Sequence, residues 1–185
     1  MSKLRYLLIL DFEATCCNDR SIPADEIEII EFPTLLYSIE KAALVEKLPG
    51  SQPCPATFHE YVRPVLHPNL TRFCTELTGI EQSTVNKSDT FPTVWRRHLG
   101  WLKEVGVFEN PNSYAYLTCG DWDMKTALPK ELRRLDTVAP EICTLERVIN
   151  IKKAFKSHHN IPGSKGYGMG TAQFSFVYLG AALVY

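Results

Sequence analysis

A chain of 185 residues is long enough for one domain with a sizeable core. Its 45% hydrophobic and 22% charged content is that of a globular protein. The net charge of -1 excludes a global basic field for nucleic acid, although a local patch can hide in that average. No segment reaches the ~20 apolar residues of a membrane span. The six cysteines are scattered with no CxxC spacing, which argues against a structural zinc site. With no secretory leader expected at Met1–Arg5, the sequence reads as an intracellular protein with reduced thiols, in cytoplasm or nucleus.

The first predicted strand covers Arg5 to Asp11, and its apolar run from Tyr6 to Leu10 needs cover on both faces. It ends in Asp11-Phe12-Glu13-Ala14-Thr15. In an extended chain residues i and i+2 point to one side, so Asp11 and Glu13 face one point. Two like charges so close call for a cation, and Mg²⁺ favours carboxylate oxygen. The spacing alone admits a solvated turn with two acids just as well.

Asn18 to Asp25 reads as a loop. Glu26 to Phe32 alternates and is β-branched, predicting a second strand that bends at Pro33 and continues to Ser38. Ala42 to Leu48 is ambiguous between strand and helical turn. Lys47 to Ala56 holds three prolines and reads as a loop. Thr57 to Pro64 alternates again as a strand, and this spacing predicts an antiparallel meander.

The period then changes to that of helices. Thr71 to Ile80 is predicted helical and stopped by Gly79, with a short helical turn over Glu81 to Val85. Ser88-Asp89 is expected to cap a longer helix through Val94, Trp95, Leu99, Trp101 and Leu102. Tyr114 to Cys119 reads as a strand, Lys125 to Leu135 as a helix interrupted at Pro129, and Glu146 to Phe155 as a further helix. Strands followed by alternating helices and strands make a mixed α/β domain.

Leu117-Thr118-Cys119-Gly120-Asp121-Trp122-Asp123 repeats the opening pattern, an apolar strand followed by acids. Asp121 or Asp123 could cap the next helix. Alternatively, Asp123 could join Asp11 and Glu13 as a third metal ligand. The basic run Lys152, Lys153, Lys156, His158, His159 and Lys165 is a solvated helix face or a stripe that tracks phosphates. Trp95, Trp101 and Trp122 are expected in the core. His59, His67 and His98 have no evident partners in the sequence.

These motifs resemble the DEDDh 3′–5′ exonucleases, and within them the Eri-type exoribonucleases that trim histone-mRNA 3′ ends. Asp11-Phe12-Glu13-Ala14-Thr15-Cys16 carries the resemblance first. Glu28-Ile29-Ile30-Glu31-Phe32-Pro33 and Tyr61-Val62-Arg63-Pro64 follow. Phe73-Cys74-Thr75-Glu76-Leu77-Thr78-Gly79-Ile80 is a specific match, continued by Asp89-Thr90-Phe91-Pro92, Cys119 to Met124 and Ile149 to Lys153.

The resemblance implies a ribonuclease-H-like α/β fold, a mixed sheet with flanking helices. It implies two-metal hydrolysis, with two Mg²⁺ (or Mn²⁺) ions about 4 Å apart acting on the phosphodiester. It makes Asp11, Glu13 and Asp123 the metal ligands and catalytic acids. Glu13, Phe12, Ala14 and Thr15 would touch the terminal nucleotide, and the partner would be an RNA 3′ end, single-stranded or with a short overhang.

The family's fourth acid and the histidine five residues before it have no counterpart here: no aspartate follows Asp136, and neither His158 nor His159 starts the motif. After Gly166-Tyr167-Gly168-Met169 the sequence becomes apolar and uncharged from Thr171 to Tyr185. The expected organisation is an incomplete exonuclease domain over 1–170 and a divergent tail over 171–185. Weak or absent activity is expected, since loss of a general base costs ~10²–10⁴-fold in rate. Two other readings are a catalytically dead RNA-binding or interaction module and a DNA-directed proofreading nuclease.

Overall fold

The structure is a computed structural model that describes residues 4–45, 57–135 and 147–158. Its centre is a mixed sheet. Strand β1 (Tyr6–Leu10) pairs antiparallel with the long β3 (Ile29–Ser38) on one side and parallel with β6 (Tyr114–Thr118) on the other. Beyond β6 lies β7 (Val148–Asn150), again parallel. The short β2 (Glu13–Ala14) continues the path of β1 along β3. On the far edge of β3 lie β4 (Ala43–Leu44) and β5 (Thr57–Tyr61). The predicted antiparallel meander is therefore present, and parallel strands extend it. The ambiguous 42–48 stretch contributes the strand β4, and the predicted loop over 47–56 lies outside the described residues.

Alternation sorts β3 into two faces. Phe32, Thr34, Leu36 and Ser38 are buried on one side, while Glu31, Pro33, Leu35 and Tyr37 are half-buried on the other. The buried side meets helix α3 (Phe91–Glu104), which presents Phe91, Val94, Trp95, His98, Trp101 and Leu102 at helical spacing. Phe32 is the hub of this core, fully buried against the rings of Phe12, Phe58, Phe91, Trp95 and His98. Burying such a ring contributes about 2–3 kcal/mol, and truncating it to alanine costs about 3–5 kcal/mol.

Helix α1 (Arg72–Thr78) shows how its sequence sets its ends. The Thr71 hydroxyl accepts the Cys74 N–H at 3.0 Å, and Gly79 closes the helix at φ 74°, a conformation that suits glycine. Helix α2 (Gln82–Asn86) follows as predicted.

Other expectations need correction. β3 begins at Ile29 rather than Glu26, because Glu28 is drawn out of the strand: its carboxylate accepts the N–H groups of Val65, Leu66 and His67 at 2.7, 2.9 and 3.0 Å. Past that start the expectation holds, for the strand continues through Pro33 to Ser38. Neither Ser88 nor Asp89 caps α3. Thr90 holds that position, with Pro92 in the first turn; Ser88 instead donates to the Thr84 carbonyl, and Asp89 pairs with Arg97 at 2.9 Å.

The helix expected over Glu146–Phe155 starts only at Ile151. The β-branched Val148 and Ile149 instead pair with β6, where a parallel neighbour is available. Pro129 marks a break as expected: a π-helical turn over Asp123–Ala127 leads into α4 (Leu128–Arg134). Trp95 and Trp101 are core residues, but Trp122 is 38% exposed on the turn after β6.

The histidines are also not partnerless. His59 lies 2.6 Å from Glu31, His67 lies 2.7 Å from Glu26, and His98 is fully buried against Thr34 at 3.2 Å. Cys16, Cys17, Cys74 and Cys119 are free thiols, as expected; Cys54, Cys143 and the tail over 171–185 lie outside the described residues.

Candidate active site

β1 and β6 run parallel, so both strands release their chains at the same edge of the sheet. That register brings Asp11 and Glu13, beyond β1, next to Asp123, beyond β6. One bond fixes the meeting: the Phe12 N–H donates to Asp123 Oδ1 at 2.9 Å. Phe12 turns its ring inward onto Phe32 in an edge contact at 4.7 Å, which sends the flanking carboxylates the other way. Asp123 is only 4% exposed, whereas Asp11 keeps an open side to solvent and Glu13 is half-buried.

Crowding shows in the acidities. Lost hydration on the walled side and the nearby Asp123 push Asp11 up to about 6, with Lys152 opposing. Burial, Asp11 and Glu31 push Glu13 up to about 7. Burial also raises Asp123, offset by the Phe12 N–H and by Lys152. The cluster is unfavourable as a set of bare anions and favours bound positive charge.

Two residues join this centre that strand-end spacing did not single out. Glu31 stands opposite Glu13 in the β2–β3 register and holds His59 at 2.6 Å. Its signal was the alternation of β3, which puts Glu31 on the half-buried face. Lys152 comes from the first turn of α5 (Ile151–His158), is half-buried, and its charge works against the upward shifts of Asp11 and Asp123.

Neither Asp121 nor Asp123 makes a side-chain cap to the following helical turn. Asp121 instead accepts Asn150 Nδ2 at 2.8 Å and pairs with Lys153 at 2.5 Å and Lys125 at 3.3 Å, and these contacts hold its carboxyl well below the usual range. Of the four residues expected at a terminal nucleotide, Glu13 and Ala14 are half-buried. The Phe12 ring is in the core, and the Thr15 hydroxyl is taken by the Glu28 N–H at 2.9 Å.

Among the described residues, no three His, Cys, Asp or Glu side chains already converge tightly enough to hold an ion. The donor chemistry still fits a hard divalent cation: Asp11, Glu13 and Asp123 offer only carboxylate oxygen, and Asp123 has one oxygen committed to Phe12.

The profile of the exonuclease family RNase_T matches residues 8–174. The chain belongs to this exonuclease family. Human ERI1 exoribonuclease 3 is 40% identical over 154 residues, covering 83% of this chain and 41% of the relative. The exonuclease chain thus spans about two fifths of the length of that curated relative. The nuclease domain of 3′hExo, a DEDDh family member solved with rAMP, superposes with a TM-score of 0.69 at 32% identity, covering 87% of this chain and 74% of that one. A 3′-exonuclease solved in 3′-end recognition of the histone mRNA stem-loop gives 0.69 at 31% identity, over 88% and 66%. The mixed sheet with flanking helices is that of the DEDDh nucleases, whose family works with divalent metal ions. Among the described residues, no helix is long and apolar enough to cross a membrane.

Proposed function

We propose that this chain is a 3′–5′ exoribonuclease domain that hydrolyses phosphodiester bonds from RNA 3′ ends. The observation that carries the reading is the meeting of Asp11 and Glu13 with Asp123, fixed by the Phe12–Asp123 bond. Asp11, Glu13 and Asp123 would hold Mg²⁺, or Mn²⁺ in its place. A bound divalent ion would supply Lewis-acid stabilisation of charge on the phosphate. The protein's part is positional: Asp123 fixes the end of β1, Asp11 and Glu13 face the phosphate from one side, and Glu31 adds charge behind Glu13. Glu13 and Ala14 border the position proposed for the terminal nucleotide. The substrate is a single-stranded RNA 3′ end or a short overhang, as favoured by the likeness to a 3′-exonuclease solved with an RNA 3′ end.

The nuclease domain is assigned to residues 1–170 and the divergent tail to 171–185. Free thiols at Cys16, Cys17, Cys74 and Cys119 favour the cytoplasm or nucleus. No aspartate follows Asp136, so these 185 residues do not supply the family's fourth acid, and their turnover is proposed to be slow. The same observation favours a second reading, an RNA-binding module without catalysis.

The test combines Mn²⁺ calorimetry with trimming of 3′-labelled single-stranded RNA in Mg²⁺. The enzyme reading expects metal binding and slow trimming, both lost in Asp11→Ala. Metal binding and RNA binding without trimming would leave the non-catalytic module. Fast trimming abolished by Asp11→Ala would overturn the slow turnover. A chain that binds no metal would overturn the enzyme reading.

A further inference from the structure

Asp121 and Asp123 leave the turn after β6 toward different neighbours. Asp123 reaches β1, where it accepts the Phe12 N–H at 2.9 Å. Asp121 reaches β7, where its Oδ1 accepts Asn150 Nδ2 at 2.8 Å. Its other oxygen, Oδ2, holds two ammonium groups at once. Lys153, from the first turn of α5, lies at 2.5 Å, and Lys125, from the π-helical turn after β6, lies at 3.3 Å. Two lysines from separate elements thus meet on a single oxygen.

One carboxylate balances one cation, so this cluster carries a surplus positive charge. Both lysine side chains are open to water, Lys125 61% exposed and Lys153 64% exposed. Exposed ion pairs add little to stability, so folding alone does not call for the second ammonium. The cluster is also set in place before any ligand arrives. Asn150 pairs with Thr118 of β6, holds Asp121 through its Nδ2, and accepts the Lys153 N–H on its Oδ1 at 3.3 Å. A phosphodiester carries one negative charge over two unbridged oxygens. Two ammonium groups with one charge to spare match it in number and in sign.

The order of groups along this edge of the sheet gives a direction. Glu13 lies on β2, Asp11 at the end of β1, Asp123 on the β1 side of the turn after β6, and the lysine pair on its β7 side. We propose that Lys125 and Lys153, held together by Asp121, grip a backbone phosphate of the RNA upstream of the bond to be cut. The strand then crosses from β7 over the ends of β6 and β1 and ends with its 3′ nucleotide at Glu13. This rests on the exonuclease reading, which puts the terminal nucleotide at Glu13 and Ala14 and the scissile phosphate at the three acids.

A phosphate grip outside the acid centre makes demands that ion pairs serving only the fold do not. The probe is a short single-stranded RNA, titrated in Mn²⁺, with a phosphorothioate at its last linkage to block turnover. Lys125→Met and Lys153→Met each weaken its binding, and in each the slope of log affinity against log salt becomes shallower by about 0.7. Binding of Mn²⁺ alone, and of 5′-AMP in Mn²⁺, stays at the wild-type level, because neither ligand reaches the lysine pair. Lys125→Arg and Lys153→Arg keep the charge and the slope. Lys103→Met, on the exposed end of α3, controls for net charge and changes none of these.

Calorimetry with Mn²⁺ and 5′-AMP, and RNA titration at several salt concentrations, on the full 185-residue chain, give the answer. An RNA slope unchanged in either Met variant overturns the grip. If wild type still binds Mn²⁺ and 5′-AMP in that case, only the role of the lysine pair falls. An equal loss of affinity for 5′-AMP and for RNA also overturns it, since the effect then lies at the acids or in the fold. A wild-type chain that binds neither Mn²⁺ nor 5′-AMP brings down the exonuclease reading, and the lysine grip with it.

Discussion

Asp123 accepts the backbone N–H of Phe12 at 2.9 Å, across 111 residues of sequence. A single carboxylate oxygen thereby ties the end of β1 to the turn after β6, leaving the second oxygen for chemistry. The bond separates two losses that an alanine scan would merge. Asp123→Asn keeps an oxygen for the Phe12 N–H and is expected to unfold within about 1 kcal/mol of wild type. Asp123→Ala strands a buried donor and should cost about 1–3 kcal/mol. Both should lose Mn²⁺ binding. Urea unfolding beside calorimetry checks this; equal destabilisation by both substitutions would show that the hydrogen bond is not what joins the strand ends.

The acid cluster should make the metal-free protein less stable as pH rises. Glu13 is pushed up to about 7, so the native state holds a proton that the unfolded chain has released. Stability from this group is present below the ordinary glutamate range and is lost as pH climbs through about 7. With metal chelated, Glu13→Gln is expected to be more stable than wild type at pH 8, by about 1 kcal/mol after allowance for solvent screening, and indistinguishable at pH 4. Thermal unfolding at the two pH values would show the difference. A destabilised Glu13→Gln at pH 8 contradicts the crowding.

His98 gives the opposite dependence in the core. Burial among Phe32, Phe58, Trp95 and Trp101 lowers it to about 3, so it stays neutral inside while the unfolded chain takes up a proton below about 6.5. The unfolded state then binds more protons, and stability falls on acidification from about 6.5 toward 3, by up to about 1.4 kcal/mol per pH unit. His98→Gln removes the titration and should flatten that part of the curve. Parallel curves for the two proteins between pH 6 and 4 would assign the acid loss elsewhere.

Glu28 holds the segment after β5 through three backbone N–H groups on Val65, Leu66 and His67. Charge-assisted bonds of this kind are stronger than neutral ones. Glu28→Gln keeps the shape but loses the charge and one acceptor oxygen, and should cost about 2–3 kcal/mol in urea unfolding. Hydrogen exchange should quicken at 65–67 before it quickens in β3. Protection lost uniformly across the sheet would argue against a local bracket.

The sequence by itself determined much of this protein. The period of two in β3, the helical spacing in α3, the Thr71 and Gly79 ends of α1 and the break near Pro129 are local signals, because backbone geometry sets them residue by residue. It also marked Asp11, Glu13 and Asp123, since acids at strand ends stand out against an apolar run. Other features depended on neighbours far along the chain. Val148–Asn150 is a strand because β6 offers a free edge, Glu28 leaves its strand to bind 65–67, and Asp121 latches α5 instead of capping its own helix. Glu31 and Lys152 belong to the carboxylate centre only through the register of β2 with β3 and the docking of α5 beside β6. A local pattern can show which way a side chain points, but the charges it meets are set by which strands pair, and only the tertiary structure decides that.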